Sequence, residues 1–154
     1  MLKKLFCIAI ALTPCVGYAC SCKKSSVSHA FKDADLIFNG KLIDKKTYTY
    51  PDTIAQREGV YITKPRQLVR SLFRITNLYK GALKQDTITI TTSGLEYDCG
   101  YSFHASSSYL IYAHSTEYLP NNTKVRPYLS ASVCSRTKPD SFFSFYEKLL
   151  LRIF

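Results

Sequence analysis

Residues 68–79 read Leu-Val-Arg-Ser-Leu-Phe-Arg-Ile-Thr-Asn-Leu-Tyr, so that Leu68, Arg70, Leu72, Arg74 and Thr76 alternate with Val69, Ser71, Phe73, Ile75 and Asn77. A period of two marks a strand with one face buried and the other turned outward. Leu68 and Leu72 stand off the Val69/Phe73/Ile75 face, which predicts a bulge or burial on both sides. Downstream, Lys80-Gly81 turns the chain and Thr87–Thr92 repeats the period with β-branched residues. Tyr109–Ala113 and Tyr128–Val133 are two further short strands. Upstream, Asp35–Ile43 reads as a strand, bulged or bent at Gly40. Between the two, Thr47–Pro65 is polar and punctuated by Pro51, Gly59 and Pro65. It is too long for a tight turn, and Val60–Ile62 points to an extended hairpin or flap.

Helices flank these strands. Ser25 or Ser26 caps a short helix running towards Ala34, with Val27, Ala30 and Phe31 on one face. Pro139-Asp140-Ser141 starts a second, along which Phe142, Phe145, Tyr146, Leu149, Leu150 and Ile153 form a stripe of helical period. The stripe predicts a helix docked on the core. Phe143, Leu151 and Phe154 lie off it and keep a membrane-surface or partner helix as the alternative. Five short strands without strand–helix alternation predict an all-β fold with flanking helices. Closure into a small five-stranded barrel would remove the exposed strand edges.

The chain has 154 residues, 21 Lys+Arg against 11 Asp+Glu, and six cysteines. That length fits one domain, and 46% apolar residues exclude a disordered polycation. No apolar run reaches the ~18 residues of a membrane-spanning helix. The first nineteen residues stand apart. Lys3 and Lys4 precede the apolar run Leu5–Leu12, and Gly17-Tyr18-Ala19 sets small residues before Cys20. This is the order of a secretory signal peptide cleaved after Ala19. Taking nineteen residues and two lysines from 154 and +10 leaves a domain, residues 20–154, of 135 residues and charge +8. No internal repeat or linker divides it.

Cys7 and Cys15 leave with the signal, and Cys20, Cys22, Cys99 and Cys134 remain. An even count in an exported chain predicts two disulfides. Of the three pairings, the one joining Cys20 to Cys22 has poor geometry. Both others bolt Cys20-Ser21-Cys22 to two distant points of the chain. The rival reading, a Cys-x-Cys metal site, has no nearby Cys or His cluster to support it.

Several landmarks now fall in one order: Cys20-Ser21-Cys22, His29-Ala30-Phe31, Asp35-Leu36-Ile37, Leu78-Tyr79-Lys80-Gly81, Cys99-Gly100-Tyr101, Tyr109-Leu110-Ile111-Tyr112-Ala113 and Cys134. In this the chain resembles the N-terminal domain of the tissue inhibitors of metalloproteinases, the netrin-like module. The resemblance implies a five-stranded OB-fold barrel with Cys20 bonded to Cys99 and Cys22 to Cys134. It also implies a non-enzymatic, secreted inhibitor of zinc metalloendopeptidases. In the family, the first cysteine's free α-amine and carbonyl oxygen chelate the protease's zinc and displace its water. Carried over, Cys20 would chelate, Ser21 would enter the specificity pocket, and Cys22 and Lys23 would continue the wedge. Tyr97-Asp98-Cys99 would form the adjoining ridge. The chain departs from the pattern at Lys32, which stands where the family has a third cysteine, and at Lys23-Lys24 and Asp98, which add charge near the contact.

No catalytic frame accompanies these features. His29, His104 and His114 are scattered outside any His-Glu-x-x-His order, and nucleophile-elbow and phosphate-loop signatures are absent. No cofactor and no metal held by the protein alone is expected. Basic residues are concentrated at Lys23, Lys24, Lys45, Lys46, Lys64, Arg66, Arg70 and Arg74, interleaved with Tyr48, Tyr50 and Tyr61. The alternative function is therefore a netrin-like binding module, without protease inhibition, for a polyanion or an exported protein partner. Its surface would suit an anionic polysaccharide or a membrane surface, and export counts against nucleic acid. The domain is expected to act as a monomer, secreted or, in a Gram-negative host, periplasmic.

Overall fold

The computed structural model describes residues 20–23, 25–57, 60–94, 99–105 and 107–154. Residues 1–19, expected to be a signal peptide, and Tyr97 and Asp98 of the expected ridge lie outside them. Six strands occur: β1 (Leu36–Arg57), β2 (Val60–Lys80), β3 (Thr87–Ser93), β4 (Ser108–Tyr118), β5 (Lys124–Ser130) and β6 (Lys138–Pro139). Helix α1 spans Val27–Asp33; a 3-10 turn, Phe142–Ser144, leads into α2, Phe145–Leu151. Strands β1-β2-β3-β5-β4 form a ring, because Leu36–Lys41 of β1 also pairs with Ser108–Ala113 of β4. The expected five-stranded OB-like barrel is what the chain forms. β6 adds a short pairing on β4, Tyr109↔Pro139 and Leu110↔Lys138.

The barrel is filled by Leu36, Phe38, Leu42, Phe73, Ile90, Phe103, Tyr109, Ile111, Ala113 and Ala131. Phe73, Phe103 and Tyr109 meet edge to face, with centroids 4.8 and 5.0 Å apart for the two pairs that include Phe103. Residues 109–113 are buried on both faces. Tyr109, Ile111 and Ala113 point into the barrel, whereas Leu110 and Tyr112 join Ala30, Ala34, Ile37 and Leu151 in a second cluster beneath the helices.

Helix α1 begins as the sequence predicts. The Ser26 hydroxyl accepts from the His29 amide at 3.2 Å. Its last turn is held by Lys80, whose Nζ donates to the carbonyls of Phe31, Lys32 and Ala34 at 2.6, 2.9 and 2.6 Å. Gly81 follows at φ +93°, where an added Cβ would lie 2.7 Å from the Leu36 side chain. The Tyr79-Lys80-Gly81 motif is thus a device for seating α1.

The segment 47–65 is the extended hairpin that the sequence suggests: β1 and β2 run on together, with pairing that continues to Arg57↔Val60. Beyond Thr47 and Leu68 this arm pairs only with itself among the described residues, and its sequence lacks the apolar alternation of the barrel strands. Pro51 and Pro65 lie directly opposite one another within it. Two expectations need correction, one at β5 and one at α2. The strand expected at Tyr128–Val133 is instead Lys124–Ser130, because Ser132–Ser135 is drawn into a turn, with the Ser135 amide donating to the Ser132 carbonyl at 3.1 Å.

The second correction is the larger: the stripe on α2 faces solvent. Phe142 is 80% exposed and Tyr146 70%, while the buried residues of α2 are Glu147 and Leu151. Beneath the helix Glu147 accepts from Tyr112 Oη at 2.6 Å, from Arg136 Nε and Nη2 at 3.0 and 2.7 Å, and from Lys138. Turning the stripe inward would withdraw the carboxylate from two partly covered cations. An unpaired buried charge costs more than exposed apolar side chains.

Burial works to raise the Glu147 pKa, but the hydrogen bonds from Arg136, Lys138 and Tyr112 outweigh it and hold the group at about 2, against an ordinary value of 4.5. The stabilisation is therefore complete above about pH 4.5 and is lost as the pH falls through about 2. In acid titrations of melting temperature, Glu147→Gln should lower stability by roughly 3 kcal/mol at neutral pH and flatten that acid limb.

Candidate functional site: the disulfide-tied N-terminal segment

Cys20, Ser21, Cys22 and Lys23 lie across one end of the barrel, Cys20 half-buried and the next three exposed. Both cysteines are bonded, Cys20 to Cys99 and Cys22 to Cys134, with Cα separations of 5.7 and 5.2 Å. Cross-links closing loops of this length typically contribute ~2–4 kcal/mol.

Two anchors can serve residues only two apart because they are themselves neighbours. The Val133 amide donates to the Cys99 carbonyl at 3.0 Å, and Gly100 bridges Ser132 in antiparallel fashion. An added Cβ at Gly100 would lie 2.4 Å from the Ser93 carbonyl oxygen, so only glycine lets the strand ends approach this closely. Cys99 itself has φ 53°, in the left-handed region.

On the other side, the Cys134 amide donates to Ser132 Oγ at 3.2 Å and the Ser135 hydroxyl meets Thr137 Oγ1 at 3.0 Å. Thr137 Oγ1 accepts in turn from the Tyr112 amide at 3.1 Å, which roots the turn on β4. Arg136 fixes the exit of the segment, donating from Nη1 to the Ser25 carbonyl at 2.5 Å. Three ties, at Cys20, Cys22 and Ser25, therefore anchor the segment at both ends.

Two hollows flank the segment. One of about 350 Å³ runs along it between Lys23, Ser26, His29, Asp33 and Cys134. The other, about 240 Å³, lies beyond Cys99 and is lined by Lys45, Thr92, Gly100, Tyr101 and Phe103. Burial, and then the neighbouring Tyr109, push the Tyr101 phenol up to about 12, so it stays protonated.

Of the residues singled out from sequence, the structure brings Cys20, Ser21, Cys22, Lys23 and Cys99 together; Tyr97 and Asp98 fall outside the described residues. His29 pairs with Asp33 at 2.7 Å on the surface. Among the described residues no three His, Cys, Asp or Glu side chains gather as a metal site. Sequence reasoning missed the supports: Arg136 carried no signal distinguishing it from any surface cation, and Gly100 was visible only as part of Cys-Gly.

A family model described as tissue inhibitor of metalloproteinase matches residues 18–137. No curated protein matches the sequence. The matched span contains all four bonded cysteines, Lys80-Gly81 and Arg136, and it stops before β6 and α2. With more than half of its length matched and both implied disulfides in place, this chain belongs to the tissue inhibitor of metalloproteinase family.

Proposed function

We propose that the protein is a secreted inhibitor of zinc metalloendopeptidases, whose mature chain starts at Cys20 and binds the target's catalytic zinc through the Cys20 α-amine and carbonyl oxygen. The observation carrying this is the double tie of Cys20 and Cys22 to adjacent anchors, with Ser21 exposed between them. A catalytic zinc keeps one position open for water, and a chelating amine–carbonyl pair can occupy it. With a reference pKa of ~7.7–8.0, an α-amine sheds its proton for a metal near neutral pH. The segment is ordered before it binds, so little conformational entropy is lost on docking. Ser21 is short enough to enter a specificity pocket, and Lys23, Tyr97 and Asp98 would contact its surroundings.

A second reading has its own support. Across the β1–β2 pair of the barrel, Lys46 lies opposite Arg70 and Lys41 opposite Arg74, all four exposed, with Arg70 stacked 4.8 Å over Tyr48 and Lys46 also 3.5 Å from Asp44. Like charges placed directly across a strand pair repel, and an anionic polysaccharide would relieve that repulsion.

The first reading is tested by comparing the mature chain with one carrying an extra alanine before Cys20. Inhibition of a zinc endopeptidase should fall by about 100-fold or more, the scale of a disrupted metal shell; unchanged inhibition would rule out chelation. Mass spectrometry of the secreted protein should show a free Cys20 amine. For the second, Arg70→Glu/Arg74→Glu should elute from a sulfated-polysaccharide column at clearly lower salt than wild type. Acetylating the amine should leave that elution unchanged, and equal elution of the two proteins would refute polyanion binding by this strand pair.

A further inference from the structure

The outward face of α2 has no place in the inhibitor reading, and it lies outside the residues that the family model matches. Phe145, Tyr146, Leu149, Leu150 and Ile153 are between 44% and 74% exposed and form one ridge. Its charge is one-sided. Glu147 is the sole acid in residues 141–154, and it is turned inward onto Arg136, Lys138 and Tyr112. Asp140 is engaged by Asn39, Ser144 and Lys148, each at 2.7 Å.

Alongside the ridge runs a groove of about 240 Å³ lined by Asn77, Tyr79, Phe145, Lys148, Leu149 and Arg152. Burial raises the Tyr79 pKa, Lys148 and Arg152 act to lower it and Asp140 to raise it, so the Lys148–Asp140 pair and Arg152 all stand close to this phenol. Arg152 is therefore the cation at this groove that Asp140 does not already neutralise.

We propose that this face of α2 docks on a phospholipid surface rich in anionic headgroups, with the ridge in the headgroup–acyl boundary and a headgroup phosphate in the groove beside Arg152. Aromatic and aliphatic side chains beside Lys and Arg are the composition of helices that lie in a membrane interface. Each basic residue near an anionic leaflet adds attraction, and the +8 of residues 20–154 has the matching sign. A second copy suits the face less well. α2 has seven residues, a length of about 10 Å, far from the ~800 Å² per partner of a stable interface. Self-pairing would also bring the cations of one copy towards those of the other.

The chain contains no tryptophan, so Tyr146→Trp supplies a single indole reporter on the ridge. The disulfide-bonded mature protein carrying it should show a blue-shifted emission and co-sediment with phosphatidylcholine vesicles containing about one-third phosphatidylglycerol. It should bind pure phosphatidylcholine weakly and lose affinity as salt rises. Phe145→Ser/Leu149→Ser should cut vesicle affinity by about tenfold or more, and Arg152→Glu should cut it while leaving every apolar residue in place. Protease inhibition and melting temperature should stay near wild type in both. Three outcomes would overturn the proposal: no binding to the anionic vesicles, binding equal in both variants and wild type, or sedimentation-velocity dimers broken by Phe145→Ser/Leu149→Ser without vesicle binding. None of these bears on zinc chelation at Cys20, so the two readings fail separately.

Discussion

A side chain at residue 40 would meet the Phe38 ring at 2.8 Å and the Arg74 carbonyl oxygen at 3.1 Å, so β1 can bend and shift register here only because Gly40 has none. The shift between Asn39 and Gly40 lets one short stretch, residues 36–41, hydrogen-bond to β2 along one edge and to β4 along the other. Strand coiling of this kind is what a barrel of few strands needs in order to close. Closure decides the rest. It forces residues 109–113 of β4 to carry core on both faces, and the outer one is where α1 and α2 settle.

Much of this was legible in the chain. The β-branched alternation of Thr87–Thr92, the Ser cap of α1 and the bend at Gly40 are local signals, and local physics sets them. The cysteine pairing came through resemblance, since spacing alone left two connectivities open. Tyr79-Lys80-Gly81 was recognisable as a motif, but its work, capping a helix some fifty residues earlier, involves carbonyls without any sequence signature.

What stayed hidden was hidden for a physical reason. The arm gains its order from cross-strand pairing and from the contact of Arg66 with Asp52, neither of which needs an alternating apolar sequence. The stripe on α2 misled in the opposite direction. Periodicity shows that a helix has an apolar face but not that the face is covered, and here a carboxylate owed to Arg136 and Lys138 decided the orientation. Long-range charge pairing of this sort leaves no periodic trace.

Strand β3 meets β5 through a single parallel bridge, Thr91↔Ser130, the thinnest join in the ring. Cys99 follows β3 and Cys134 follows β5, and Cys20-Ser21-Cys22 is bonded to both. Cys20-Ser21-Cys22 is therefore a covalent clasp across the barrel's own seam. The segment's pose and the barrel's closure share one fastening: a reductant that freed Cys20 and Cys22 would loosen both in the same act.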